Sequence, residues 1–280
     1  MSNQRNPQDT EKQAKPLLEI RGLKTWYPVK KGVFARTVGH IRAVDGIDLE
    51  LFPGETLGIV GESGCGKTTL ARTILRLERP REGTITLNGK SIFALRCKAL
   101  QSYRRAVQVV FQDPQASLNP RHTVLDLITE AMLVHKLVTR ENRREVAAHL
   151  LEEVGLAGDF LDRYPHAFSG GQRQRICIAR ALALKPQILI CDEAVSALDL
   201  SVRAQVLNLL QELKERHGMS YLFITHDIGV VQHLADRIAV MNAGKIVEHG
   251  CAGQVLNQPQ HDYTKKLLAA VPTLRNRKGA

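Results

Sequence analysis

Short, continuously apolar runs recur along the chain and are separated by stretches with helical periodicity. The runs "ETLGIV" at 55–60, "QILIC" at 187–191 and "YLFIT" at 221–225 have the length of strands. Strands that are apolar at nearly every position are typical of a parallel sheet covered on both faces. A helix predicted at about 201–216 lies between the second and third runs. This alternation predicts an α/β fold with a mostly parallel sheet.

Antiparallel pairs are indicated at three places. Residues 17–24 and 41–51 are interpreted as strands that flank a loop rich in Lys and Gly. "TITLNGKSI" at 84–92 contains an Asn-Gly dipeptide between strand-like runs, which predicts a hairpin with a type I′ turn. "IAVMNAGKIVEHG" at 238–250 is interpreted as a further hairpin.

A helical insert is predicted between these strands, from about 96 to 165. Apolar residues recur there at i+4 spacing, and Gly155 is placed as a helix stop. A last short helix is expected around "DYTKKLLAA", ending before Pro272. The recurring apolar positions are Val124, Ile128, Met132 in one helix and Val146, Leu150, Val154 in the next.

The whole chain is therefore divided into three parts. Residues 1–16 are predicted to be a disordered tail, and 17–250 form the main domain with a helical subdomain at about 96–180. Residues 251–280 carry the C-terminal helix and a basic tail. No run approaches the roughly 18 apolar residues of a membrane span, and the N-terminus does not resemble a secretory signal.

Composition narrows the class of protein only slightly. The five cysteines are scattered without a C-x-x-C pair, which favours reduced thiols in a cytosolic protein over a disulfide framework. The net charge of +11 invites a nucleic-acid interpretation, but the basic residues are dispersed and aromatics make up only 5%. The same charge suits work beside an anionic membrane face.

The segment "GESGCGKT" at 61–68, the phosphate loop, carries the most specific signal. It fits G-x-x-x-x-G-K-[ST] and lies between an apolar strand and a helix, as a nucleotide-binding loop requires. Its glycines allow successive N–H groups to turn toward phosphate oxygens at the positive end of a helix. We expect Lys67 to reach the β- and γ-phosphates and the Thr68 hydroxyl to ligate Mg²⁺.

The run "ILICDE" at 188–193 supplies carboxylates at a strand end. Asp192 emerges at the carboxyl edge of the sheet, where α/β proteins bind ligands, and can hold the Mg²⁺ shell. Glu193 follows it and could polarise an attacking water. His226 ends the strand "YLFIT" at the same predicted edge, so we expect it to contact a γ-phosphate. Gln112 likewise ends an apolar run; alone it would indicate an ordinary turn.

A second glycine-rich segment, "FSGGQRQR" at 168–175, opens a helix a hundred residues further on. Ser169 is a good N-cap, and Gly170 and Gly171 leave the first amides of the helix uncovered. The segment therefore predicts an anion-binding helix N-terminus without a lysine or Mg²⁺ ligand of its own. We call residues 168–175 the signature segment.

Taken in order, these motifs resemble those of ABC-type ATPases, the nucleotide-binding subunits of ATP-binding-cassette transporters, over about residues 17–270. The resemblance implies a P-loop NTPase core with an antiparallel β subdomain and an inserted helical subdomain. It matches Gln112 to the Q-loop, "SALD" at 196–199 to the D-loop and His226 to the switch histidine, and it makes Tyr27 the best candidate to stack on adenine, with Trp26 possible. The implied catalytic residues are Lys67, Glu193 and His226; the implied Mg²⁺ ligands are Thr68, Gln112 and Asp192; and the implied ATP contacts are Tyr27, Gly61, Glu62, Ser63, Gly64, Cys65, Gly66, Lys67, Thr68, Thr69, Gln112, Asp192, Ser169, Gly170, Gly171 and Gln172.

Longer segments resemble the peptide/nickel importer subgroup, which implies an ATP-hydrolysing subunit of an importer whose substrate is left open among peptides, glutathione, nickel and metal chelates. They are "FQDPQASLNPR", "RYPHAFSGGQRQRICIARALAL", "DEAVSALD", the basic "PVKKGVFARTVGH" and the terminal "PQHDYTKKLLAAVP". Ala194-Val195 replaces the usual Pro-Thr after the carboxylates and leaves the catalytic groups untouched. Many relatives carry a C-terminal cysteine cluster that holds an iron–sulfur centre; here only Cys251 is near, so no such cluster is expected.

The resemblance implies partners as well. Two cassettes would face head to tail, each ATP lying between one subunit's phosphate loop and the other's signature segment. The partner cassette is expected to be a related chain, with a homodimer as the lesser option, at the cytoplasmic face of the cell membrane beside two permease subunits. A solute-binding protein would act indirectly, and no nucleic acid is expected. The alternatives are a soluble ABC ATPase acting on nucleic acid or ribosomes, and an exporter cassette.

Overall fold

A computed structural model of the chain describes residues 15–32 and 36–270. The strands are β1 Leu18–Lys31, β2 Arg36–Leu51, β3 Thr56–Val60, β4 Glu82–Leu87, β5 Lys90–Ser91, β6 Val107–Phe111, β7 Ile188–Asp192, β8 Ser220–Thr225, β9 Arg237–Asn242 and β10 Lys245–Cys251. The helices are α1 Lys67–Ile74, α2 Cys97–Ala106, α3 Pro114–Ser117, α4 Val124–Val134, α5 Arg143–Glu153, α6 Gly170–Leu182, α7 Leu200–His217, α8 Ile228–Leu234, α9 Ala252–Asn257 and α10 Asp262–Ala269.

Two sheets organise these elements, as the sequence predicts. The larger sheet has the order β10-β9-β3-β8-β7-β6, and its five strands from β9 to β6 run parallel. The smaller sheet has the order β2-β1-β4-β5 and is antiparallel throughout. The carboxyl ends of β3, β8, β7 and β6 therefore lie side by side along one edge, and this edge carries the candidate site.

The parallel strands divide the hydrophobic core because successive side chains point to opposite faces. Leu189 and Cys191 of β7 pack into a cluster formed with α4–α7. Ile188 and Ile190 of the same strand pack into the other cluster, together with α1 and the antiparallel sheet. β7 is buried at all five positions, which accounts for the apolar run over its first four residues, before Asp192.

Both predicted hairpins form. Asn88 and Gly89 adopt positive φ angles of 50° and 73°, the conformation that a type I′ turn requires. β9 and β10 pair through a turn at Ala243 and Gly244, with φ of 45° and 82°. No helix within residues 15–32 and 36–270 is long and apolar enough to cross a membrane.

Three predictions about the elements need correction. The Lys/Gly-rich segment between 24 and 41 is mostly strand, since β1 and β2 extend through it as one long hairpin; Val38 and Ile41 are exposed there, so no burial pattern marked it. β6 interrupts the helical stretch predicted from about 96. In α5 the fully buried face is centred on Ala147 and Leu151, one position away from Val146 and Leu150.

Helix α4 carries Val124, Ile128 and Met132 on its buried side, as its periodicity predicts. Gly155 adopts a φ of 70° immediately after α5 and ends that helix, also as predicted. Of the predicted tails, residues 1–14 and 271–280 lie outside the described residues, and the domain boundaries stay predictions.

Candidate functional site

The phosphate loop joins β3 to α1 in a space that admits only glycine at two positions. A Cβ on Gly61 would lie 2.1 Å from the Met241 carbonyl oxygen, and one on Gly66 would lie 1.9 Å from the Ala43 carbonyl oxygen. Gly66 also has a φ of 111°, which L-residues rarely adopt. Backbone on both sides therefore fixes the path of the loop.

Lys67 lies at the start of α1 and is almost fully buried. Its ammonium donates to the carbonyl oxygens of Gly61 at 2.7 Å and Glu62 at 2.8 Å. A buried ammonium needs such acceptors. The charge is thus held at the loop itself, where one carbonyl partner can be exchanged for a phosphate oxygen.

Asp192 brings a carboxylate to the same place from the end of β7. Its Oδ1 accepts a hydrogen bond from the Thr68 hydroxyl at 3.4 Å, and only 5% of the residue is exposed. Burial raises the pKa of Asp192, and the charge of Glu193 raises it further, against the opposing effects of Thr68, Arg72 and Lys67. A cation bound beside Asp192 would therefore stabilise its charged form.

Glu193 and His226 form a pair at the ends of two neighbouring strands. His226 Nδ1 lies 3.2 Å from Glu193 Oε1. The backbone of Glu193 has a φ of 51°, an uncommon conformation for a residue other than glycine. Hydrogen bonds on both sides hold it, since its N–H donates to the Ile224 carbonyl at 2.8 Å and its carbonyl accepts from the Ser196 N–H and hydroxyl.

Gln112 follows β6 at the same edge. The β6–β7 register pairs Phe111 with Asp192. Gln112 is the next residue after Phe111, so it lies one position beyond the strand position that pairs with Asp192, and it is exposed. The structure therefore brings Gln112, Asp192, Glu193 and His226 to adjacent strand ends beside the phosphate loop.

Tyr27 and Trp26 lie on opposite faces of β1. Thr25, two residues before Tyr27, contacts Thr73 of α1 through their hydroxyls at 3.1 Å, so alternation places Tyr27 on the face that α1 covers. Trp26 faces the other way, with the guanidinium carbons of Arg42 and Arg81 at 4.8 and 4.7 Å from its ring centroid. The pairing of β1 with β2 shifts register between Thr25 and Trp26, and the adenine contact of Tyr27 stays a prediction.

The signature segment forms the N-terminus of α6 through a complete capping box. Ser169 Oγ accepts from the Gln172 N–H at 3.3 Å, and Gln172 Oε1 accepts from the Ser169 N–H at 3.0 Å. The two glycines differ: a Cβ on Gly170 would meet nothing within 4 Å, whereas one on Gly171 would lie 2.4 Å from Val202 Cγ1. Gly171 therefore has a packing role that the sequence interpretation did not include.

Among the described residues, no hydrogen bond joins Ser169, Gly170, Gly171 or Gln172 to the phosphate loop. The contacts of α6 are mainly with α3, α4, α5, α7 and β6. One chain thus carries two separate clusters of predicted nucleotide contacts.

Several residues that support the site escaped the sequence analysis. Arg203 donates to Asp227 Oδ2 at 2.7 Å, next to His226, and also reaches the carbonyl oxygens of Ser196 and Leu198 in the D-loop. The Gly244 N–H donates to the Cys65 carbonyl at 2.9 Å. The Glu62 N–H donates to the Tyr263 hydroxyl at 3.1 Å. Apart from the D-loop carbonyls, these partners are distant in sequence, so no local pattern indicates the contacts.

The site combines a tightly enclosed glycine-rich loop, a buried lysine and carboxylates at the carboxyl edge of a parallel sheet. This combination defines a P-loop nucleotide-binding protein. A family model described as ABC transporter matches residues 44–196. The chain is 52% identical over 265 residues to the glutathione import ATP-binding protein GsiA of Salmonella paratyphi A, which covers 95% of this chain and 42% of GsiA. It is 50% identical over 262 residues to the oligopeptide transport ATP-binding protein AppF of Bacillus subtilis, covering 93% and 80%.

Solved structures agree with these sequence relatives. The ATP-binding cassette MJ0796, in a dimeric post-hydrolysis state with ADP and Pi, superposes with a TM-score of 0.73 at 29% identity, covering 84% of this chain and 98% of MJ0796. CbiO1 of Clostridium perfringens, part of the complex cbiONQ, gives 0.73 at 26% identity, covering 92% and 96%. The chain belongs to the ABC transporter family, and its fold is that of an ABC ATPase cassette. It spans about two fifths of the length of the GsiA relatives.

Proposed function

We propose that the chain is an ATP-binding and ATP-hydrolysing subunit that energises a membrane importer for peptides or a related small solute. The observation that carries the proposal is the junction of the phosphate loop with Asp192 through Thr68, beside the Glu193–His226 pair. A loop that cradles phosphates, a buried carboxylate and a base at adjacent strand ends supply the parts that phosphoryl transfer to water needs.

In this account Glu193 orients a water in line with the γ-phosphorus and accepts its proton. The water oxygen bonds to phosphorus while the bond to the β–γ bridging oxygen breaks, and ADP leaves. Lys67 and His226 stabilise the charge that spreads over the γ-phosphoryl oxygens. The hydrogen bond from His226 fixes the Glu193 carboxylate, so the base is oriented before the substrate arrives.

A magnesium ion fits the same residues. Thr68 and Asp192 present a hydroxyl and a carboxylate oxygen, the hard ligands that Mg²⁺ prefers, and the raised pKa of Asp192 marks a buried charge without full compensation. Thr68 and Asp192 would hold the ion, with Gln112 beside them. The ion would supply positive charge that offsets the negative charge of the phosphates.

The signature segment is proposed to act on a second cassette. Ser169, Gly170, Gly171 and Gln172 would present the N-terminus of α6 to the nucleotide held by the partner's phosphate loop. The separation of the two clusters within one chain supports this arrangement, as does the dimeric state of the related MJ0796 cassette with ADP and Pi. A paralogous heterodimer is the preferred form, and a homodimer is the second option.

The importer assignment rests on relatives that are named for glutathione and oligopeptide transport. As part of this proposal, the chain acts at the cytoplasmic face of the cell membrane beside two permease subunits, and a solute-binding protein acts through them. No iron–sulfur cluster and no nucleic acid belong to this proposal.

Affinity purification of the tagged chain from solubilised membranes tests the proposed partners. We expect two hydrophobic permease chains and a second cassette to co-purify, and ATP hydrolysis to depend on that assembly. A matched purification of the Lys67→Ala chain should recover the same partners without hydrolysis. Recovery of ribosomes or nucleic acid in place of permeases would contradict the importer assignment.

A further inference from the structure

The C-terminal helix α10 contacts the phosphate loop, although the loop lies two hundred residues earlier in the chain. The Glu62 N–H, directly after Gly61, donates a hydrogen bond to the Tyr263 hydroxyl at 3.1 Å. The Tyr263 ring is partly buried against a small hydrophobic cluster that includes Val60, the last residue of β3. One side chain thus packs against the hydrophobic cluster that contains the end of β3 and accepts a hydrogen bond from the first amide beyond Gly61.

Tyr263 is itself held in place by a turn that a second strand anchors. Glu248 of β10 accepts hydrogen bonds from the N–H groups of Gln260 at 2.7 Å and His261 at 3.0 Å. His261 Nδ1 then accepts from the Tyr263 N–H at 3.1 Å and caps α10. Each link of this chain from β10 to the loop amide is therefore a specific hydrogen bond.

We infer that Tyr263 is a positioning residue for the phosphate loop, and that it couples α10 to nucleotide binding. The inference rests on the proposed nucleotide site. Lys67 is bonded to the carbonyls of Gly61 and Glu62, so the peptide that Tyr263 holds is also the one that sets the position of the ammonium. The Tyr263 hydroxyl holds the N–H of the Gly61–Glu62 peptide, and the Lys67 ammonium holds its carbonyl oxygen.

The expected consequence is an effect on nucleotide affinity and not on the chemical step. Without the hydroxyl, the loop samples more conformations, and the nucleotide must order it on binding, which weakens the apparent affinity. One neutral hydrogen bond corresponds to about a two- to tenfold change in the dissociation constant. By reciprocity, an occupied loop must strengthen the attachment of α10 by the same factor.

Tyr263→Phe is the direct test because it removes one oxygen and keeps the ring. We expect the Kd for a fluorescent MgADP analogue and the KM for ATP to rise about two- to tenfold. kcat should change less than about twofold, and the variant should remain folded at the assay temperature. Tyr164→Phe is the matched control: that ring stacks on His166 and is 43% exposed, and its hydroxyl has no hydrogen bond to another described residue. It should leave Kd and KM at wild-type values.

A second variant keeps the test independent of Tyr263 itself. Glu248→Gln replaces one acceptor of the turn and should raise Kd in the same direction. The double variant with Tyr263→Phe should show less than the sum of the two effects, because both act through one hydroxyl. Hydrogen exchange provides a readout at α10: nucleotide should slow exchange at 262–269 in the wild type and do so less in Tyr263→Phe.

The outcomes separate this inference from the proposed function. If the wild type binds MgADP and Tyr263→Phe binds it equally well, the positioning role is refuted while the nucleotide site stands. A lower melting temperature with an unchanged Kd would likewise refute it, since the contact would then serve folding alone. If the wild type binds no nucleotide, the proposed function and the inference fall together.

Discussion

Gly171→Ala tests whether the second glycine of the signature segment is required by packing. The added Cβ would lie 2.4 Å from Val202 Cγ1, more than 1 Å inside the roughly 3.5–4.0 Å of normal carbon contact. Overpacking of this kind costs about 1–3 kcal/mol, and alanine recovers up to about 1 kcal/mol through its helix propensity. We expect the free energy of unfolding to fall by about 1 kcal/mol.

Gly170→Ala is the matched control, one residue earlier in the same helix turn. Its Cβ would meet nothing within 4 Å, so the propensity gain is unopposed and the free energy of unfolding should stay constant or rise by up to about 1 kcal/mol. Urea unfolding of the nucleotide-free chain isolates packing from any role in nucleotide contact. When Val202 has already been replaced by alanine, adding Gly171→Ala should no longer lower the free energy of unfolding.

The result that refutes this reasoning is equal behaviour of the two alanine variants. Equal shifts in the urea midpoint would mean that α6 moves away from α7 at no cost. A failure of Val202→Ala to relieve the Gly171→Ala loss would assign the loss to some contact other than the one with Val202.

Two further predictions concern the carboxylate edge. Arg203→Met should lower the free energy of unfolding by about 1–2 kcal/mol, since the bonds to Asp227 and the D-loop carbonyls are only partly exposed. It should also lower kcat more than it raises KM. The control Arg144→Met removes an exposed pair with Asp162 and should leave the free energy of unfolding, kcat and KM unchanged. Asp192→Asn should melt at a higher temperature than wild type at neutral pH in chelator. Burial and the adjacent glutamate raise the folded-state pKa of Asp192, so the folded state binds more protons between the ordinary and the raised pKa, and wild-type stability falls as pH rises through that window. The advantage of Asp192→Asn should therefore shrink as pH is lowered from the raised folded-state pKa to the ordinary carboxylate value. A pH-independent difference would contradict this prediction.

The parts of the fold that could be predicted are those whose pattern is local. β7 and β8 are buried on both faces and are therefore apolar over most of their length. The Asn88-Gly89 turn needs only its own dipeptide. β1 and β2 extend past their predicted ends because an exposed hairpin is held by backbone pairing and carries no burial pattern. The face of α5 was misplaced because Ala147 contributes little hydrophobicity yet packs at the centre.

The site divides in the same way. The phosphate loop and the strand-end carboxylates have fixed local spacing, so their placement together follows from the parallel sheet. Arg203 and Tyr263 act through partners 24 and 201 residues away, and nothing in their neighbourhoods indicates those contacts. Gly171 has a second physical role besides the predicted exposure of helix amides: its packing against Val202 is a tertiary effect that the sequence pattern of a helix cap does not contain.

The proposed function depends above all on Glu193, which would activate water for attack on ATP bound at the phosphate loop. The most direct measurement is ATP binding and single-turnover hydrolysis by wild type and Glu193→Gln in the assembled complex. The account predicts that Glu193→Gln binds ATP with an affinity close to wild type and hydrolyses it at least about a hundredfold more slowly. Hydrolysis at the wild-type rate in that variant would contradict the account.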